Sequence, residues 1–200
     1  MVKMGMKSIH ELKACVPVTV RERLVQDVYD RVDDVAGREL IRLSREQGIV
    51  SSCKRGCSSC CGQHIQTNLA EAHALGQYIK RTFSAQQISD LKRRTQHWLA
   101  WDSVRRQGDP PADHAGDPEL CGYEPCCPLL VDLACSAYPA RPVICRTHYV
   151  SSDPSACRSA SEQRSNEPAP AVLQSILIAT QPCTKPLRTH IEAAGLDFSR

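Results

Sequence analysis

Apolar residues recur at helical spacing on either side of a central stretch that shows no periodicity. Leu24, Val28, Val32 and Val35 stand three or four residues apart, the interval that stacks side chains on one helix face. Thr19 lies just upstream with Glu22 three residues after it, a capping-box pattern. The spacing predicts a helix that opens at Thr19, bends or breaks near Gly37, resumes through RELIRLSREQ and stops at Gly48. Asn68 with Glu71 caps a second predicted helix, LAEAHALGQYIKRTF, and Ser84 with Gln87 opens a third through Leu91, Trp98, Leu99 and Val104. Four prolines and three glycines between residues 108 and 125 predict a loop, and residues 151 to 170 read as a polar stretch. AVLQSILIAT fits helix or strand, and PLRTHIEAAG closes as a short helix ending at Gly195.

No internal repeat and no strand–helix alternation is present. The fold class is therefore mostly α, a small helical domain around an irregular, cysteine-rich, metal-held centre. Three segments follow: an N-terminal helical segment over 1–49, a cysteine-cluster domain over 50–150, and a loop and helical extension over 151–200. At 200 residues they make one compact domain.

Charge changes this picture little. Twenty-five Lys and Arg against 22 Asp and Glu leave a small net charge, which does not favour a nucleic-acid or membrane partner. From Lys80 to Arg106 seven cations face two acids, but Trp98 and Leu99 suit an amphipathic helix with a solvated face. Aromatic residues are only 4% of the chain, so few large side chains are on hand to fill a core.

Twelve cysteines change it a great deal. His10, Glu11 and Lys13 interrupt the first twenty residues, and no run approaches the roughly 18 apolar residues of a membrane span. A cytoplasmic protein is expected, and clustered cysteines in a reducing compartment serve as metal ligands or catalytic thiols more often than as disulfides. Cys53, Cys57, Cys60 and Cys61 form C-x3-C-x2-C-C, and Cys127, Cys135 and Cys145 form a second group. Spacings of two and three let the chain fold back so that several sulfurs reach one ion, at about 2.3 Å for zinc. Four thiolates complete one tetrahedral ion, and seven suffice for two tetrahedra sharing a sulfur. Seven also equals four on an iron–sulfur cluster plus three spare thiols. Soft sulfur ligands select zinc or iron over magnesium or calcium. Neighbouring side chains point apart, so Cys60 and Cys61 are expected to serve different ions or different roles. Lys54, Arg55, Arg141 and Arg146 stand beside the thiols, where cations offset thiolate charge.

CKRGCSSCC, then NLAEAHALGQYI, then CPLL and CSAYPARPVICR, in that order, resemble the YkgJ-type cysteine-cluster family, a zinc- or iron-chelating domain. The resemblance covers about residues 50 to 150. It implies that Cys53, Cys57, Cys60, Cys61, Cys127, Cys135 and Cys145 hold the metal, while Tyr138, Arg141, Pro142 and Arg146 shape the second group. The VDLA between CPLL and Cys135 is shorter than the polar turn common in relatives. The family is similar in this region to flagellin lysine methylases, which leaves an iron–sulfur-dependent redox or methyltransfer enzyme as the alternative function. Radical S-adenosylmethionine enzymes share C-x3-C-x2-C, but they carry an aromatic where this chain has Ser59.

The other candidates divide. Cys126 and Cys157 are auxiliary ligands or free thiols, Cys121 lies in the Pro-rich loop, and Cys15 and Cys183 read as small buried apolar residues. His64 and His148 each follow a cysteine by three residues, a ligand-compatible spacing, although a satisfied or exposed histidine is the better expectation. Glu71 reads as a helix cap with a role behind the ligands left open.

Overall fold

The computed structural model describes residues 18–54, 56–63, 65–106, 126–161 and 168–195. Cys15, Arg55, His64, Cys121 and the loop predicted over 108–125 lie outside the described residues.

Helix α1, Val18–Gln47, is the spine. Val25, Val28, Tyr29, Val32, Ala36 and Leu43 are buried along one side, while Asp34, Arg38 and Glu46 stay exposed on the other. The predicted break at Gly37 does not occur: the helix passes through it. One helical glycine costs about 1 kcal/mol, which packing along a 30-residue helix outweighs. Thr19 sits inside the helix and so is not its cap. Gly48, at φ +66°, takes the left-handed conformation that ends the helix, and the Ile49 N–H closes it on the Leu43 carbonyl at 3.2 Å.

Helix α2, Leu69–Thr82, begins as predicted: Asn68 accepts the Glu71 N–H at 3.0 Å. Helix α3, Ala85–Arg106, opens on a reciprocal capping box, with Ser84 Oγ accepting from Gln87 N–H at 3.2 Å and Gln87 Oε1 from Ser84 N–H at 2.8 Å. Strands β1, Leu130–Val131, and β2, Ala134–Cys135, form a minimal antiparallel hairpin that the sequence reading did not foresee. Its turn holds Asp132 at φ 48° and Leu133 at φ 61°. Helix α4, Val143–Thr147, follows. Helix α5, Pro154–Ser161, stands in what reads as a polar stretch; Asp153 starts it by accepting the Ser155 N–H at 2.8 Å. The ambiguous AVLQSILIAT is divided: Val172 bridges to Val150, and Gln174–Thr180 forms helix α6. Helix α7, Lys185–Ala193, ends near Gly195 at φ +70°.

Helices α2, α4, α6 and α7 all pack on α1. One apolar cluster joins Val25, Val28, Tyr29 and Val32 to Ala70, Leu187 and Ile191, and a second joins Ala36 and Leu43 to Leu173 and Ile176. The fold is a mostly helical small domain, with the cysteine-rich segments beside the middle of α1. No helix among the described residues is long and apolar enough to cross a membrane.

Candidate metal centre

The first cysteine group is tied to the chain that follows the second. Ser52 N–H donates to the Val150 carbonyl at 2.9 Å and Ser52 Oγ to the Ser152 carbonyl at 2.5 Å. Val150 N–H donates to Cys53 Sγ at 3.4 Å. Gly56, at φ +88°, lets the chain turn so that Cys57 N–H reaches the Lys54 carbonyl at 2.9 Å. Ser59–Gly62 is then a single turn of 3-10 helix, with Cys61 N–H on the Ser58 carbonyl at 2.9 Å.

The second group docks on this turn through the backbone: Cys127 N–H donates to the Cys61 carbonyl at 2.8 Å. The β hairpin carries Cys135 back beside it, pinned by Ser136 N–H and Oγ on the Leu129 carbonyl, both at 2.8 Å. Arg94 of α3 donates to the Pro128 carbonyl at 2.8 Å, so one of the basic residues read as a solvated face holds the CPLL turn. Cys145 sits on α4, whose first N–H, at Val143, is capped by Glu71 Oε1 at 2.7 Å. Glu71 thus links two helix starts: its Oε2 accepts from the side-chain amide of Asn68, the cap of α2, at 2.5 Å, and its Oε1 caps α4. No sequence spacing connects residues 71 and 143.

Arg146 locks the ARPVICR segment. It donates to the Arg141 carbonyl at 2.8 Å and to the Pro139 carbonyl, pairs with Asp33 of α1 at 2.5 Å, and lies 4.0 Å from the Tyr29 ring centroid. A guanidinium, with five donors in a fixed plane, can satisfy such a set at once. Arg146 is therefore a tie to the helical body and not a counter-charge to the thiols. Arg141 does take that role: stacked 3.8 Å from the Tyr138 ring, its charge reaches Cys60, Cys135 and Cys145. Lys54 is exposed.

Cys53, Cys57, Cys60, Cys61, Cys127 and Cys135 are half-buried, and Cys145 keeps an exposed edge. The neighbouring Cys61 thiol draws Cys60 down against the opposing effect of burial. Cys60, together with burial, pushes Cys61 up. Burial raises Cys127 and Cys135, and burial followed by the charges of Cys127, Cys60 and Cys135 pushes Cys145 up to about 12. Among the described residues no three His, Cys, Asp or Glu side chains are gathered closely enough to enclose a metal ion as they stand. The thiols form an open neighbourhood.

The remaining candidates fall in different places. Cys126 is half-buried next to Cys127. Cys183 packs against the main apolar cluster, as its reading as an apolar residue expects. His148 meets the site through its backbone, its carbonyl 3.9 Å from Cys53 Sγ, while burial lowers the pKa of its ring. Cys157, by contrast, is fully buried on α5.

No protein-family model, curated protein or solved structure matches this chain. What the centre does must be argued from its own donors. Those donors are soft sulfurs, with Arg141 beside them among the described residues, a set that suits zinc or iron.

Proposed function

We propose that this is a metal-binding protein in which clustered cysteine thiolates hold zinc or iron, with an iron–sulfur cluster as one form the iron would take. The Cys127–Cys61 backbone hydrogen bond carries the reading, because it joins two cysteine groups 66 positions apart in numbering (127 − 61). Cys60, Cys61, Cys127, Cys135 and Cys145 then share one electrostatic neighbourhood. Burial and crowding raise the cost of ionising Cys61 and Cys145, and a bound cation reverses that cost. The chemistry suits a reducing, cytoplasmic setting, where thiols persist.

The test is anaerobic purification followed by metal and sulfide analysis and a visible spectrum. More than one metal ion per chain is expected, counting a cluster by its irons. A brown protein with labile sulfide assigns iron–sulfur, and a colourless one with zinc assigns closed thiolate coordination. A folded chain that carries no metal, and takes up neither zinc nor iron with sulfide on reconstitution, refutes the proposal.

A further inference from the structure

We infer that the helical body fixes the place of Cys145 before any metal arrives, through two carboxylates, and that Glu71 and Asp33 are therefore positioning residues of the centre. This rests on the metal-binding reading above and deepens it. Helix α4 has five residues, too few to hold its shape unaided. Its shape comes from what grips it. At its start Glu71 Oε1 accepts the Val143 N–H at 2.7 Å, and the same carboxylate is steadied from behind, where Oε2 accepts from the Asn68 amide at 2.5 Å and from Thr67 Oγ1 at 3.3 Å. Glu71 is 4% exposed, so water competes little for these bonds. At the far end Arg146 ties the helix to Asp33 of α1 at 2.5 Å, and back to the Arg141 and Pro139 carbonyls.

Burial follows the same plan. Pro142, Arg146 and Thr147 are buried and Val143 packs on the main apolar cluster, which leaves Ile144 and Cys145 on the open side. The Cys145 and Arg146 N–H groups both donate to the Pro142 carbonyl, at 2.9 and 3.2 Å, so the cysteine backbone is set between the two grips. The turns that carry the other thiols are held differently. Cys57, Cys61 and Cys127 donate their N–H groups to the Lys54, Ser58 and Cys61 carbonyls, and Ser136, next to Cys135, donates to Leu129, all within the cysteine-rich segments. Arg94 on the Pro128 carbonyl joins that second group to α3. Cys145 is the fixed point of the centre, and the turns bearing Cys57, Cys61 and Cys127 take their final order from the metal.

The experiment compares amide hydrogen exchange of the full-length, anaerobically reduced protein with and without zinc, and measures zinc affinity by competition with a chelator. In wild type the Val143, Cys145 and Arg146 amides are expected to exchange slowly in both states, while those of Cys57, Cys61 and Cys127 gain protection when zinc is added. Glu71→Ala should speed exchange across α4 roughly tenfold or more and weaken zinc binding by about 10–100-fold, with the number of ions per chain unchanged because no sulfur is lost. Glu71→Gln, which keeps an acceptor for the Val143 N–H, should recover most of both. Asp33→Ala removes a side chain that is 45% exposed, so folding is at little risk, and it should act in the same direction. Ile191→Ala, in the apolar core, should leave zinc affinity as in wild type. If α4 exchanges freely in metal-free wild type, the inference falls and the metal-binding reading stands. The same holds if Glu71→Ala and Asp33→Ala lower the thermal midpoint but not the zinc affinity. Failure of wild type to take up zinc, or iron with sulfide, overturns both.

Discussion

The two sides of α1 are held by different physics. Toward α6 and α7 it buries Val25, Val28, Val32, Ala36 and Leu43 against Leu173, Ile176, Leu187 and Ile191. Each side chain of that size withdraws from water for about 1.5–3 kcal/mol. Toward the cysteine-rich segments it offers Asp33 and the Tyr29 ring, and both are taken by one arginine. The elements there are two to five residues long apart from α5, and their buried side chains are mostly small or polar, Ala137, Ala140, Pro142, Arg146 and Thr147, with buried Val150 and the half-buried Val143 and Tyr149 adding apolar contact. Turn hydrogen bonds fix this backbone, but each is worth only about 0.5–1.5 kcal/mol net. The helical body rests mainly on its apolar face, and the centre, with less apolar surface of its own, leaves room for a further source of stability. Bound metal is the source we propose.

Removing a ligand is the hardest test of that contrast. Cys57→Ser and Cys145→Ser come from different cysteine groups, and each is expected to lose metal and to loosen the centre while much of α1, α2, α6 and α7 stays helical. Structural zinc carries about 10–16 kcal/mol of apparent binding free energy in small domains, so losing one ligand should lower the thermal midpoint by roughly 10 °C or more. Calorimetry with metal analysis decides it. Full metal content and unchanged unfolding in both variants would remove the centre's dependence on thiolates.

Striking the other side should have a different signature. Ile191 is 1% exposed in the cluster with Val25 and Leu187. Ile191→Ala should cost about 2–5 kcal/mol, and by the same amount with metal bound or chelated, since the cavity lies in the helical body. Denaturant unfolding in both states measures this. A loss that disappears on chelation would mean that the two regions fold as one unit and that their separation is false.

The same division governs what the sequence could disclose. Asn68 with Glu71, Ser84 with Gln87, and Gly48 and Gly195 as stops were all legible, because caps act within a few residues. Gly37 misled, since a local penalty says nothing of the packing that overrides it. Helix α5 was missed because its sequence, PSACRSAS, offers only small apolar residues, Ala156, Cys157 and Ala160, too few to set a period. The seven cysteines stand out in the sequence as candidate ligands by composition and spacing. How they are arranged does not: it depends on Asp33 meeting Arg146 across 113 positions and Glu71 meeting Val143 across 72, contacts that only the folded chain creates.

The hairpin offers the smallest and most local test. A two-residue turn with both residues at positive φ favours Asn-Gly or Asp-Gly, and here Leu133 takes the second place at φ 61°. A side chain in that region costs about 1–2 kcal/mol, and Leu133, 69% exposed, recovers little of it by burial. Glycine relieves the strain but adds freedom to the unfolded chain. Leu133→Gly should therefore stabilise the protein by at most about 1 kcal/mol. Because the paired residues Leu130 and Cys135 keep their register, metal content should stay as in wild type. Paired unfolding curves and metal analysis test this together. A variant that gained stability but lost metal would mean that the leucine-bearing turn itself sets the position of Cys135, so that the strain belongs to the site.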